Sequence, residues 1–184
     1  VASQFKWIRR AWDWPGADQN LKDYIDLRDN ELEDYLNTPV PRCRVYNSAA
    51  IPLTTGVGTA LTFDALQYDN AALHSLTVNT GRITPNQAGL WRVGANLAFA
   101  ANAVGVRTVD LRAFSASLGT TIVIASDYKS AASAGEHRVS LTTDYQVKVG
   151  DYFDVFVAQN SGGTLNVQLG NFYSAMFWAT FVDN

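Results

Sequence analysis

The chain has 184 residues, 47% of them hydrophobic and 17% charged, with a formal net charge of −3. That balance excludes a general affinity for nucleic acid, because no basic stripe is present to displace counterions along a phosphate backbone. Cys43 is the only cysteine, so there is no disulfide framework or thiolate metal cluster, and no run approaches the roughly 18 apolar residues of a membrane-spanning helix.

Residues 1–16 read as a docking arm. Trp7, Trp12 and Trp14 stand beside Lys6, Arg9 and Arg10 before Pro15 and Gly16 break the segment. So much aromatic surface cannot make its own core, so the arm is expected either to anchor in a larger assembly or to strap back onto its own oligomer. Asp13 interrupts it, and neither an apolar h-region nor a small-residue cleavage site follows, unlike a secretory signal.

Residues 17–38 read as a short helical stalk. Asp18 is a candidate N-cap, and Pro39 and Pro41 end the helix near Asn37. Leu21, Ile25, Leu32 and Tyr35, with Arg28 in the missing slot, follow the 4-3-4-3 spacing of a heptad seam. At under three heptads, and with many acidic residues, such a coiled coil would be marginal by itself. The alternative is a monomeric amphipathic helix. Residues 39–44 form a Pro-containing linker.

From residue 45 to 184 the pattern changes to strands and turns. Segments 90–99, 106–114, 138–147 and 164–169 alternate with period two, and runs at 59–63, 121–125 and 151–158 add strands. Turn signals recur at Gly81, Pro85-Asn86, Gly119, Gly135, Gly150-Asp151 and Gly162-Gly163. Many short strands with regular punctuation mean a sandwich or jelly roll. The closing segment does not alternate: Phe172, Met176, Trp178 and Val182 lie on one side, and Tyr173, Ala175, Phe177, Ala179 and Phe181 on the other. Both faces must be covered, one by the domain's core and the other by neighbouring subunits. The candidate trimer-interface residues are therefore Phe172, Tyr173, Met176, Phe177, Trp178 and Phe181.

Three segments in order carry a resemblance. Ile83-Thr-Pro-Asn-Gln-Ala-Gly-Leu-Trp-Arg-Val93 places a Pro and a Gly before an aromatic residue that opens a strand. Val139-Ser-Leu is followed by Val147-Lys-Val-Gly-Asp-Tyr-Phe-Asp-Val-Phe-Val157, in which a Gly-Asp turn launches a strand. Phe172 to Val182 closes the chain. Over roughly residues 44–184 this resembles the tumour-necrosis-factor and complement globular-head superfamily. The resemblance implies an all-β, ten-strand TNF-like jelly roll that forms a tight trimer with aromatic interfaces. A head preceded by a Trp-rich arm and a short helix looks similar to bacteriophage fibre and minor tail proteins.

Catalytic chemistry is poorly provided for. His74 and His137 are the only histidines, and no nucleophile-elbow, phosphate-loop or His-Glu-x-x-His motif occurs. Asp64, Asp69, Asp110, Asp127, Asp144 and Asp154 are scattered, with none paired by spacing as a glycosidase requires. Asp64, Asp69 and Asn70 are oxygen ligands in principle, but lack the dense spacing of a calcium loop. Cys43 reads as a buried thiol. No enzyme activity, metal or cofactor is expected.

Polar loops flanked by aromatics, Gln67–Asn70, Ala101–Gly105, Ser126–Ser130 and Gln159–Gly163, are candidates for a ligand-binding tip, with Tyr68 and Tyr128 as possible sugar platforms. The reading is a homotrimeric bacteriophage virion protein, a minor tail or tail-fibre protein whose head binds a host-surface receptor or glycan. Trp7, Trp12 and Trp14 would dock it to other virion proteins. A capsid or tail decoration protein is the structural alternative, and a secreted TNF-like or complement-like ligand is the second.

Overall fold

The computed structural model describes residues 19–131, 135–169 and 175–183, with side chains from residue 25 onward except 34–36. Trp7, Trp12, Trp14, Phe172 and Tyr173, and the side chains of Leu21 and Tyr35, lie outside this set. A helical unit ends at Pro39 and a β unit begins at Val40.

Helix α1 spans Gln19–Asn37. Its stop follows from Pro39, which disfavours helical geometry at Thr38 and offers no amide of its own. An exposed Arg28–Glu31 pair at 3.1 Å ties one turn to the next. Of the expected seam, Ile25 is half-buried and Leu32 is exposed.

Among the described residues twelve strands follow, where ten were expected. They are β1 (Arg42–Tyr46), β2 (Ile51–Leu53), β3 (Thr59–Ala60), β4 (Ala65–Asp69), β5 (Arg82–Ile83) and β6 (Gly89–Phe99), then β7 (Val106–Ser115), β8 (Thr120–Ser130), β9 (His137–Val147), β10 (Tyr152–Gln159), β11 (Leu165–Val167) and β12 (Met176–Asp183). The surplus comes from short pieces such as β3 and β5, which share one side of β10. Residues 42–44, expected as linker, already belong to β1, where Cys43 pairs with Ala179 and points into the core.

All pairings are antiparallel. The first sheet runs β9–β6–β12–β1–β4, with β11 following β12 along the same side of β6 and β2 beyond it. The second runs β8–β7–β10, with β5 and β3 on the far side of β10. Between the sheets lies one core that includes Val45, Phe63, Trp91, Phe99, Leu111, Phe153 and Phe177. Trp91, the aromatic that opens β6, is fully buried; its indole N–H donates to the Gln87 carbonyl, and its ring meets Phe181 edge-on at 5.5 Å. Burying such rings supplies most of the driving force, at roughly 25 cal/mol per Å² of apolar surface.

The structure decides which side of the last strand is internal. Ala175, Phe177 and Ala179 are buried, and Phe181 packs against them from the same side. Phe177 is 0% exposed and meets Phe63 in a tilted ring pair at 5.4 Å. Its assignment to a subunit interface is therefore corrected: a ring with no surface left cannot contact a partner. The same geometry turns Phe181 inward. Met176 and Trp178 remain on the outer side.

Candidate functional site

The outer face of the first sheet is built around Trp178. Cross-strand register places it between Arg44 on β1 and Gly94 on β6. The indole lies flat over Gly94, where a Cβ would overlap the ring and also stand 2.8 Å from the Leu141 carbonyl. Next to it, Arg44 Nη2 donates towards the Met176 sulfur at 3.2 Å, while Arg44 Nε is buried without a partner. Arg42 and Arg44 of β1 and Tyr68 of β4 continue the patch, with the Arg42 guanidinium 5.6 Å from the Tyr68 ring centre. On its far side Arg92 forms a bidentate pair with Asp144, with bonds of 2.8 and 2.9 Å. This pair holds the Asp144 carboxyl below the ordinary carboxylate range. Trp, Met, Tyr and Arg without saturated partners are the chemistry of protein interfaces.

On the outer face of the second sheet the central charges are paired. Arg112 binds Asp154 bidentately at 2.7 and 2.8 Å and lies 4.1 Å from the centre of the Phe156 ring. Phe114 stacks on Tyr152 at 4.8 Å, and Arg82 covers Tyr152 at 3.9 Å.

The two candidate sugar platforms are not brought together. Tyr68 belongs to the outer face of the first sheet; Tyr128 lies on β8 of the second and is 63% exposed. Residues 126–130, expected as a loop, are strand. The alternation hid this because β8 pairs on one edge only and carries a bulge opposite Leu111/Arg112. Residues 101–105 and 159–163 do form adjacent loops, at the end of the sheets away from Arg42. Asn160 Oδ1 accepts from the Val106 amide at 2.6 Å. Arg107, fully buried, donates to the Val104 and Asn102 carbonyls at 2.7 and 2.9 Å. Residues 67–69, expected as a loop, end strand β4 at the opposite end, where Asn70 bonds Val40 and Arg42.

The carboxylates are engaged separately. Asp64 accepts from the Ser48 amide and hydroxyl, which hold its carboxyl below the ordinary value. Asp69 accepts from the amides of Ala71, Leu73 and His74. Asp110 accepts from Ser126, and Asp127 pairs with Lys129. His74 places one ring nitrogen 2.8 Å from the Arg82 carbonyl and the other 3.3 Å from that of Phe63, a structural tie between loops. Among the described residues no group of three His, Cys, Asp or Glu side chains could hold a metal ion. Burial, with Asp69 adding to it, pushes the Cys43 thiol far above the thiol range, so an interchain disulfide through it has neither surface nor thiolate.

Arg44, Gly94, Arg82, Arg112 and Tyr152 were not singled out by sequence reasoning. The alternation Tyr152, Asp154, Phe156 on β10, with aromatic and charged residues on the side opposite Phe153 and Val155, was the available signal.

No protein-family model matches the chain, and no curated protein matches it. Among solved structures, the chain is similar to the Eiger TNF of S. frugiperda, with TM-score 0.57 and 12% identity over 80% of this chain and 96% of that one. It is also similar to the globular domain of zebrafish complement 1qA, with TM-score 0.56 and 15% identity over 78% and 99%. At these identities the likeness defines the fold, a TNF/C1q-like jelly roll.

Proposed function

We propose that the chain is the head and stalk of a homotrimeric receptor-binding protein that has no enzymatic activity and assembles through the outer face of the first sheet. The observation that carries this reading is Trp178, with Met176 and the unpartnered Nε of Arg44 beside it, on a sheet face the domain's own core does not use. The TNF/C1q-like fold supports the same arrangement.

In its finer form, the trimer belongs to a bacteriophage virion, as a minor tail or tail-fibre protein. Trp7, Trp12 and Trp14 then dock to other virion proteins, and the head faces a host receptor or glycan. The support for this form is the order of parts in the sequence, a Trp-rich arm and a short helix directly before the head.

Native mass spectrometry of the full chain tests the assembly. A trimer is expected; a monomer at micromolar concentration overturns the reading. Binding of the trimer to host-surface glycans separates receptor binding from a purely decorative role on a capsid or tail, in which the trimer would form and bind nothing.

A further inference from the structure

The second sheet carries a groove of about 470 Å³ on its outer face, between β5, β10, β7 and β8. This lies within the size range of small-ligand sites. The groove sits on the flank of the head, towards the Tyr152 end of β10 and away from the 101–105 and 159–163 loops.

Its charge is set by one residue. Arg112 and Asp154 both line the groove but neutralise each other in their bidentate pair. Arg82 is left over. Its guanidinium stacks on Tyr152, and among the described residues its N–H groups meet no acceptor. The contact restrains the guanidinium: Phe114, the cross-strand neighbour of Tyr152, stacks on its ring, and Arg82, whose cross-strand neighbour is Asp154, reaches diagonally over that ring. A planar fork held in one orientation suits a planar, bidentate acceptor, a carboxylate.

The rim adds hydrogen-bonding side chains with no partner among the described residues. Thr62, Thr80 and Thr121 present hydroxyls and Asn79 an amide around the same opening. The turn that carries Asn79, Thr80 and Arg82 is held in place. The Arg82 amide donates to the Asn79 carbonyl at 3.0 Å, and the Thr80 carbonyl accepts from the Phe63 amide at 2.8 Å. Gly81 approaches the Leu61 carbonyl so closely that a Cβ would stand 2.6 Å from it. The site is therefore preformed, and binding need not first order the turn.

We propose that this groove binds a carboxylate-bearing saccharide, such as a uronic or sialic acid residue, with Arg82 clamping the carboxylate and the threonine and asparagine rim reading ring hydroxyls. This rests on the reading of the head as a ligand-binding module, but not on its assembly. The groove and the Trp178 patch lie on the outer faces of different sheets, and the groove is complete within one chain.

The test is a ¹H–¹⁵N correlation titration of the full chain with galacturonate, N-acetylneuraminate, galactose and acetate. Saturable shifts are expected at residues 79–82, 121 and 152 with one or both sugar acids, and at least tenfold weaker binding of galactose and acetate. Arg82→Gln is expected to weaken the sugar acid at least tenfold, with Arg82→Lys intermediate. Thr121→Val, on the exposed rim, is expected to weaken it severalfold and serves if Arg82→Gln fails to fold. No shift with either sugar acid overturns the proposal, as does equal binding of acetate or galactose, or an Arg82→Gln protein that binds undiminished. Sugar-acid shifts mapped to another surface overturn this site while leaving the ligand-binding reading standing. If a host-glycan screen with the intact trimer is also silent, that reading falls with it.

Discussion

The two sheets share one core but finish their outer faces in opposite ways. Each face carries a cross-strand arginine–aspartate fork and large aromatic rings. On the second sheet Arg112 and Asp154 retain only 19% and 11% side-chain exposure, and Phe114, Tyr152 and Phe156 each have a cation or another ring against them. On the first, the Arg92–Asp144 fork is open to solvent at 53% and 37%, and Arg44 Nε is buried without an acceptor beside Trp178. Composition alone does not separate the faces. What separates them is how far the arginine–aspartate fork is closed off from water by its surroundings. A fork sealed among rings belongs to the folded monomer, and one left open to water beside Trp178 is where a partner surface would act.

The sharpest way to break this comparison is to alter adjacent residues on opposite sides of β12. Phe177→Ala removes a fully buried ring and is expected to cost about 3–5 kcal/mol, visible as a large fall in the thermal midpoint. Trp178→Glu is expected to leave the head folded, with native circular dichroism, but to convert the proposed trimer to monomer. If Trp178→Glu unfolds the chain and Phe177→Ala does not, the assignment of the faces is reversed.

On the second sheet, Asp154→Ala strands the Arg112 charge in a largely desolvated position. The expected cost is about 3 kcal/mol in urea denaturation, and replacing Arg112 and Asp154 together by apolar residues of similar size should recover much of it. Equal losses for the single and double changes would mean that the fork contributes by packing alone. A smaller effect is expected from Gly94→Ala. Its Cβ must displace the Trp178 ring, at about 1–3 kcal/mol for overpacking. Because the displaced ring belongs to the proposed interface, the trimer's dissociation constant should rise even where monomer stability changes little.

The contrast also explains what was legible in the sequence. Strands β7 and β9 were read because one side of each faces a common core, which imposes alternation; in β9 Val139 and Val147 are buried while Arg138 and Gln146 are exposed. Strands β2 and β5 escaped because three or two residues cannot show a period, and β2 contains Pro52. In β4, a register shift opposite Arg44/Val45 leaves Leu66, Gln67 and Tyr68 all exposed. The closing strand announced that both its faces are covered, but period two is symmetric, so the sequence was silent on which face is the core. The Arg82 groove was illegible for a different reason: it is assembled from β5, β10, β7 and β8, and only the register between them brings Arg82 onto Tyr152.

The smallest effect belongs to the open fork. Asp144 is ionised more readily in the folded chain than in the unfolded one because the Arg92 guanidinium donates two hydrogen bonds to its carboxylate. A carboxyl whose folded value is depressed adds stability that is present above its unfolded value and lost as pH falls through the folded one. The contribution should therefore disappear on the acid side of the ordinary carboxylate range and be constant at neutral pH. Arg92→Gln is expected to move the Asp144 titration upward to the ordinary value, read by carboxyl ¹³C shifts, with little change in the denaturation midpoint at pH 7, since exposed pairs are screened by water and salt. The same substitution made in the assembled protein sharpens the comparison. If the proposed interface reaches across β6 to β9, the fork is covered there, and Arg92→Gln should weaken the trimer while hardly affecting the monomer. Equal, small effects on both would confine the interface to β12, β1 and β4.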